Sequence, residues 1–242
     1  MKQVIVIPAR MKGTRLPGKP LIEIMGKAII HHVWNRCRRV VEPENIYIAT
    51  EDDEIAQYCK NNNIQCVVTQ AAETAIDRIK YFSDLIPADT YLNIQGDEPI
   101  VNVQDIGTLL AYNKRHPDRI VFGKAKANVE EFKDFSKAKV VCDPEGKLLY
   151  SSRAGIPINN QGEFVSAERA IWLYAFNKAA LDSYNEYRSK TYLEELEDNE
   201  IIRFLEIGIP VYCIDMIGDS WAVDEPKDLE IVEQKLKSQG LS

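Results

Sequence analysis

Four cations, Arg10, Lys12, Arg15 and Lys19, fall within ten positions, with Gly13 and Gly18 interleaved among them. Ammonium and guanidinium groups on a backbone that turns sharply and approaches a ligand closely make a phosphate grip. The basic charge is local: residues 1–22 hold five Lys or Arg and no Asp or Glu, and the remainder holds 25 basic against 37 acidic residues. Two carboxylates complement the grip, Asp97 in Gln95-Gly96-Asp97-Glu98-Pro99 and Asp224 in Trp221-Ala222-Val223-Asp224-Glu225-Pro226, each in a loop beyond an expected strand. Magnesium takes oxygen ligands, often one or two carboxylates plus substrate phosphates, so the set describes a metal-nucleotide site. Each carboxylate also has a plainer reading. Gly96-Asp97 before Pro99 suits a turn, and Asp224 two residues before Pro226 suits the start of a helix.

Gly13 to Lys19 matches the P-loop spacing, but Pro20 stands where that motif needs a Ser or Thr hydroxyl for magnesium. Pro17 and Pro20 also disfavour a helix there and bias Leu16 and Lys19 toward extended backbone. The reading is therefore a buried strand, Val4 to Ile7, followed by an extended loop; a merely solvated basic loop is the bland alternative.

The elements that must position these groups alternate at short intervals. Helices are expected over Lys27–Arg39, Thr50–Lys60 with Thr50 and Asp53 as a capping box, and Ala71–Phe82; strands over Asn45–Ala49, Gln65–Val68 and Thr90–Ile94. That alternation builds a parallel sheet covered on both faces, whose carboxyl edge is where ligands bind. From Ile120 it weakens, with strands expected at Ile120–Phe122, Lys139–Cys142 and Leu148–Tyr150 in a subsidiary lobe. An aromatic strand Arg169–Phe176, helices Leu181–Tyr187 and Tyr192–Leu205, a strand Val211–Met216 and a helix Asp228–Leu236 complete the chain.

With 242 residues, 45% apolar and 28% charged, the chain has material for a sizeable core. A net charge of −7 argues against general nucleic-acid binding, which needs a broad basic surface. Five cysteines without a C-x-x-C pair suggest reduced thiols in a cytoplasmic protein, not a disulfide framework or zinc site. His31, His32 and His116 read as packing or helix-surface residues. Neither a signal peptide nor an apolar run long enough to cross a bilayer is evident.

The segments Ile7–Leu21, Asn93–Pro99, Ser152–Pro157, Glu200–Arg203 and Val223–Leu229 carry a resemblance that spans nearly the full length. In their order and content the chain resembles the 3-deoxy-manno-octulosonate cytidylyltransferase (CMP-Kdo synthetase) family of sugar-acid cytidylyltransferases. The resemblance implies an α/β, Rossmann-like nucleotidyltransferase (GT-A-like) fold, a three-layer sandwich with a mixed central sheet and a small antiparallel dimerisation lobe. One domain would span 1–242, with the lobe at about 120–190. It implies transfer of CMP from CTP to the anomeric hydroxyl of Kdo or a related 3-deoxy sugar acid with loss of pyrophosphate, serving lipopolysaccharide synthesis. Mg2+ and a homodimer are implied too, with Gly155 to Ser166 as the intersubunit segment.

By the same resemblance Arg10, Arg15, Lys19 and Asp97 are catalytic, and Asp97 and Asp224 carry the metal. Nucleotide contacts fall to Ala9, Arg10, Gly13, Thr14, Lys19, Thr74, Ala75, Arg78, Gln95 and Asp97. Sugar contacts fall to Gln95, Arg153, Arg169, Tyr174, Glu200 and Arg203. Two segments depart from the family. Its usual Ser-Gly-Thr-Glu-Arg run is Thr74-Ala75-Ile76-Asp77-Arg78, so the hydroxyl at the third position is lost, and its Arg-His before the Ile-Gly-Ile-Tyr strand is Arg169-Ala170-Ile171-Trp172. These departures keep two alternatives open: a nucleotidyltransferase with another base or acceptor, and a non-catalytic nucleotide-binding regulator on the same fold.

Overall fold

The computed structural model describes residues 1–240 apart from Thr14 and Arg188. The chain opens with β1 (Gln3–Pro8), a 3-10 turn (Lys19–Leu21), the two-residue strands β2 (Glu23–Ile24) and β3 (Lys27–Ala28), and α1 (Ile29–Cys37). There follow β4 (Ile46–Thr50), α2 (Asp53–Asn61), β5 (Cys66–Val68), α3 (Ala75–Leu85), β6 (Thr90–Ile94) and α4 (Val103–Arg115). The second half holds β7 (Ile120–Ala127), α5 (Val129–Lys133), β8 (Lys139–Cys142), β9 (Leu148–Ser152) and β10 (Ala167–Asn177). It ends with α6 (Lys178–Glu186), α7 (Tyr192–Glu197), α8 (Ile202–Glu206), β11 (Val211–Asp215) and α9 (Pro226–Ser238).

The central sheet runs β11-β7-β10-β6-β1-β4-β5. Neighbours are parallel except where β10 pairs antiparallel with both β6 and β7, which makes the sheet mixed. β1 shows why its sequence is a continuous apolar run. Ile5 and Ile7 enter one core beside Ile30 and Val33 of α1 and Leu109 of α4, while Val4 and Val6 enter the other beside Ile79 and Phe82 of α3. A strand buried on both faces has no polar face to alternate with. The result is the three-layer α/β sandwich.

The hairpin β8-β9 pairs with the start of β10 through Glu168 and Arg169, and Lys147 forms a bridge to Tyr212 of β11. This is the small antiparallel lobe. β7 and β10, expected within it, run through the central sheet instead.

Two further expectations are corrected, and one helix is unexpected. α4 has no counterpart in the sequence reading, because Gly107 and the polar residues around Val103 dilute its apolar stripe of Ile106 and Leu109. α2 starts without the Thr50–Asp53 box; the Thr50 hydroxyl accepts instead from the Asp52 N–H at 3.0 Å, and Asp52 takes the cap position. The single helix expected over Tyr192–Leu205 is two, broken at Asp198, whose φ of 45° is left-handed. Glu200 lies in that break, free of helical constraint.

Candidate active site

β1 and β6 are adjacent and parallel, with Val6 opposite Asn93, so their carboxyl ends deliver Ala9-Arg10 and Gln95-Gly96-Asp97 to one edge. The two turns nearly touch. A Cβ on Gly96 would lie 2.5 Å from the Pro8 carbonyl oxygen, a contact no other residue type tolerates. After Arg10 the basic loop is tied back by the Met11 N–H to Asp52 at 2.8 Å and by the Gly18 N–H to the Met11 carbonyl at 2.9 Å. Gly18 adopts φ 70°, and its left-handed turn sends Lys19-Pro20-Leu21 into a single 3-10 turn rather than a fully extended path.

That turn aims Lys19 between the two carboxylates. Its Nζ lies 2.7 Å from Asp97 Oδ2 and 3.3 Å from Asp224 Oδ1, and Arg15 Nη2 lies 3.1 Å from the same Asp224 oxygen. The sequence separates Asp97 from Asp224 by more than half the chain; the fold brings them to one ammonium group.

These residues line a cleft of about 830 Å3. Its far wall is the start of α3. Thr74 caps that helix, its hydroxyl accepting from the Asp77 N–H at 3.1 Å while Asp77 Oδ2 accepts from the Thr74 N–H at 3.1 Å. The capping box fixes Thr74 and Ala75 at the rim. Arg78, buried one turn on, donates to Glu51 at 2.6 Å and to the Thr69 hydroxyl at 3.0 Å. Burial raises the Glu51 carboxyl, and the Arg78 hydrogen bond and charge more than reverse this, holding it below the ordinary value. Arg10 reaches the same wall, donating to the Glu73 carbonyl at 3.3 Å.

All the expected nucleotide contacts that the structure describes thus share one cleft: Ala9, Arg10, Gly13, Lys19, Thr74, Ala75, Arg78, Gln95 and Asp97, together with Arg15, expected to be catalytic, and Asp224, expected to carry a metal. Thr14 lies outside the described residues. Glu51 also lines this cleft, and sequence reasoning missed it. Its signal was the rule that identified Asp97, a carboxylate just beyond a strand's carboxyl end.

The donor chemistry suits magnesium. Asp97 and Asp224 offer hard oxygen ligands facing one position, and among the described residues no group of three or more His, Cys, Asp or Glu could hold an ion alone. The remaining ligands would come from phosphate oxygens and water, the usual arrangement for this ion.

The expected sugar contacts divide. Glu200 reaches back to accept the Ile76 N–H at 3.2 Å; enclosure raises its carboxyl to about 7, opposed by that bond and by Thr74. Tyr174 of β10 sits opposite Asn93 of β6, both fully buried, and neither the Tyr174 hydroxyl nor the Asn93 amide has a hydrogen-bond partner within the protein. Buried polar groups rarely stay orphaned, so an ordered water is expected beside this pair.

The three arginines do other work. Arg203 is buried, donates to both oxygens of Glu194 at 2.6 and 2.7 Å, and lies 3.8 Å over the Tyr184 ring. Arg153 caps the end of α7 through the carbonyls of Glu197 at 2.7 Å and Asp198 at 2.9 Å. Arg169 pairs with Glu131 at 2.8 Å and donates to the Gly218 carbonyl at 2.6 Å. Of the expected sugar contacts only Gln95 lines the cleft; Arg153, Arg169, Tyr174, Glu200 and Arg203 do not. Of the departures, Ile76 points its side chain into the core, and Trp172 packs 5.8 Å from Phe122.

Comparison with known proteins agrees with this geometry. The sequence profile of the cytidylyltransferase family matches residues 4–213. The 3-deoxy-manno-octulosonate cytidylyltransferase of Koribacter versatilis is 31% identical over 98% of this chain and 91% of its own length. That of Escherichia coli is 32% identical over 96% of this chain and 94% of its own. A solved CMP:2-keto-3-deoxy-manno-octonic acid synthetase complexed with CTP superposes with a TM-score of 0.92 at 30% identity, covering 99% of this chain and all of that one.

Proposed function

Because this chain belongs to the 3-deoxy-manno-octulosonate cytidylyltransferase family, we propose that it transfers CMP from CTP to the anomeric hydroxyl of Kdo or a closely related 3-deoxy sugar acid. The observation that carries the reading is Lys19, held between Asp97 and Asp224 at the mouth of the cleft that Arg10, Gly13 and Arg15 line. Glycine backbone and three cations receive the triphosphate; the capped start of α3 and the Glu51–Arg78 pair receive the nucleoside.

In the reaction the anomeric oxygen of the acceptor attacks the α-phosphorus. The bond from that phosphorus to the oxygen bridging to the β-phosphate breaks, pyrophosphate departs, and the hydroxyl proton passes to solvent. Lys19 and Arg15 neutralise charge growing on the leaving pyrophosphate, and Gln95 and Asp97 orient the reacting ends. Mg2+ on Asp97 and Asp224 would supply further charge neutralisation at the phosphates and increase the acidity of the attacking hydroxyl. Losing one well-placed donor to developing charge costs about 3–4 kcal/mol. The acceptor would sit on the side of Glu200, which meets the start of α3 through the Ile76 N–H.

The enzyme acts as a homodimer in the bacterial cytoplasm, supplying lipopolysaccharide synthesis. Supporting this are Leu149, Ile158 and Val165, large apolar side chains exposed on and beside the small lobe, and five free cysteines. Among the described residues no helix is long and apolar enough to cross a membrane.

The test is pyrophosphate release from CTP with Mg2+ across Kdo, 8-amino-Kdo and sialic acid, with chelator and Asp97→Asn as controls. Release with one acid, lost in both controls, is expected. Silence with every acid refutes the transferase, and full activity in chelator refutes the metal. Light scattering reads the dimer directly.

A further inference from the structure

Asp224 is carried by residues 216–224, a strap with no helix or strand of its own between β11 and α9. Its position therefore depends on what holds the strap. The Lys124 carbonyl accepts the Met216 N–H at 2.8 Å, Arg169 donates to the Gly218 carbonyl at 2.6 Å and Asp228 accepts the Asp224 N–H at 2.9 Å; the remaining holders come from the segment that carries Asp97. Asp105, in the first turn of α4 and only 2% exposed, accepts the Ile217 N–H at 2.8 Å with one oxygen and the Gly218 N–H at 2.9 Å with the other. Glu98, 5% exposed, accepts the Ser220 hydroxyl at 2.6 Å. The Val223 N–H donates to the Asp97 carbonyl at 2.9 Å, beside Asp224 itself.

An acidic residue in the first turn of a helix ordinarily serves that helix, by returning to its cap or by meeting its dipole. Asp105 spends both oxygens elsewhere, on two consecutive backbone N–H groups of another segment. A carboxylate bridging two N–H groups makes charge-assisted bonds that fix both distance and orientation. Glu98 is likewise turned away from the cleft that its neighbour Asp97 lines.

We propose that Asp105 and Glu98 are positioning residues: they clamp the Asp224 strap onto the Asp97 loop so that the two carboxylates meet one divalent ion on the nucleotide. The inference rests on the metal-nucleotide reading above. It assigns to Asp105, more than a hundred residues from Asp224 in sequence, a role acting solely through Asp224.

Calorimetry on the full-length protein with Mn2+, in the presence of α,β-methylene-CTP, tests this without turnover. Asp105→Asn places an amide NH2 against one strap N–H and should weaken Mn2+ about tenfold. Ser220→Ala should weaken it three- to fivefold, and Ser220→Thr should stay within twofold of the parent. Metal-free affinity for the CTP analogue should change less than twofold in all three. In an Asp224→Asn background, Asp105→Asn should add no further loss. Unchanged Mn2+ binding in Asp105→Asn and Ser220→Ala overturns the clamp, as does an equal loss of metal-free nucleotide affinity, which marks general loosening. Should Asp105→Asn fail to fold, the Ser220 pair decides alone. Absence of Mn2+ binding in the parent refutes the metal reading itself and is distinguishable from failure of the clamp.

Discussion

The Lys19 ammonium lies 2.7 Å from the Asp97 carboxylate and also reaches Asp224, so one cation stands where the two carboxylates proposed to hold the metal converge. In the absence of nucleotide it would compete with a divalent ion for them. Both partners are part exposed, so their pairing is worth about 1 kcal/mol after solvent screening. Lys19→Met should therefore bind Mn2+ about five- to tenfold more tightly in nucleotide-free calorimetry, while its turnover falls at least about a hundredfold. Weaker metal binding in that variant would show that Lys19 is not placed against the ion.

The approach of Gly96 to Pro8 makes a second prediction. Gly96→Ala puts a Cβ 2.5 Å from a backbone oxygen, which must move the ends of β1 and β6 apart. Arg10 and Asp97 ride on those ends, and a displacement near 1 Å costs about a hundredfold in rate. kcat with CTP and Kdo should drop by that order. The Gly107→Ala control, whose added Cβ meets nothing, should keep full activity.

The chemistry end of the site was legible because its signals are local. Arg10 to Lys19 is a single stretch, and Asp97 and Asp224 each follow a recognisable strand. What stayed hidden depends on pairing across the fold. Nothing near Arg203 in sequence announces that Glu194 folds back from a separate helix to hold it, and nothing near Asp105 announces the strap. The Ile76 departure reads as a lost base contact, yet that side chain is core and only its N–H faces Glu200. Helix α4 escaped because its few buried positions are diluted by polar ones.

Arg203 tests that distinction. Its pair with Glu194 is almost wholly buried, and removing one partner strands the other charge, at a cost of about 3–5 kcal/mol. Arg203→Met should lose stability on that scale in urea unfolding. Adding Glu194→Leu should restore most of it, since an apolar pair avoids the desolvation of both charges. At a temperature where the double variant is folded, KM for Kdo should match the parent. A raised KM in the double variant would return Arg203 to the acceptor site.

Glu200 sets a pH dependence. Enclosure lifts its carboxyl from the ordinary 4.5 to about 7, so between those values the folded protein holds a proton that the unfolded chain has released. Stability from this group is complete below pH 4.5 and declines as pH rises toward 7, where the folded carboxyl ionises too. Because Glu200 is only half-buried, the decline is discounted to about 1–2 kcal/mol. Glu200→Gln removes the ionisation, so urea unfolding at pH 5 and pH 7.5 should differ less in the variant than in the parent by that amount. Its neutral amide keeps an acceptor for the Ile76 N–H, so the start of α3 and the affinity for CTP should survive the change. Equal pH slopes in parent and variant would mean that Glu200 is ionised throughout, with its charge met by solvent rather than enclosed between α3 and the break after α7.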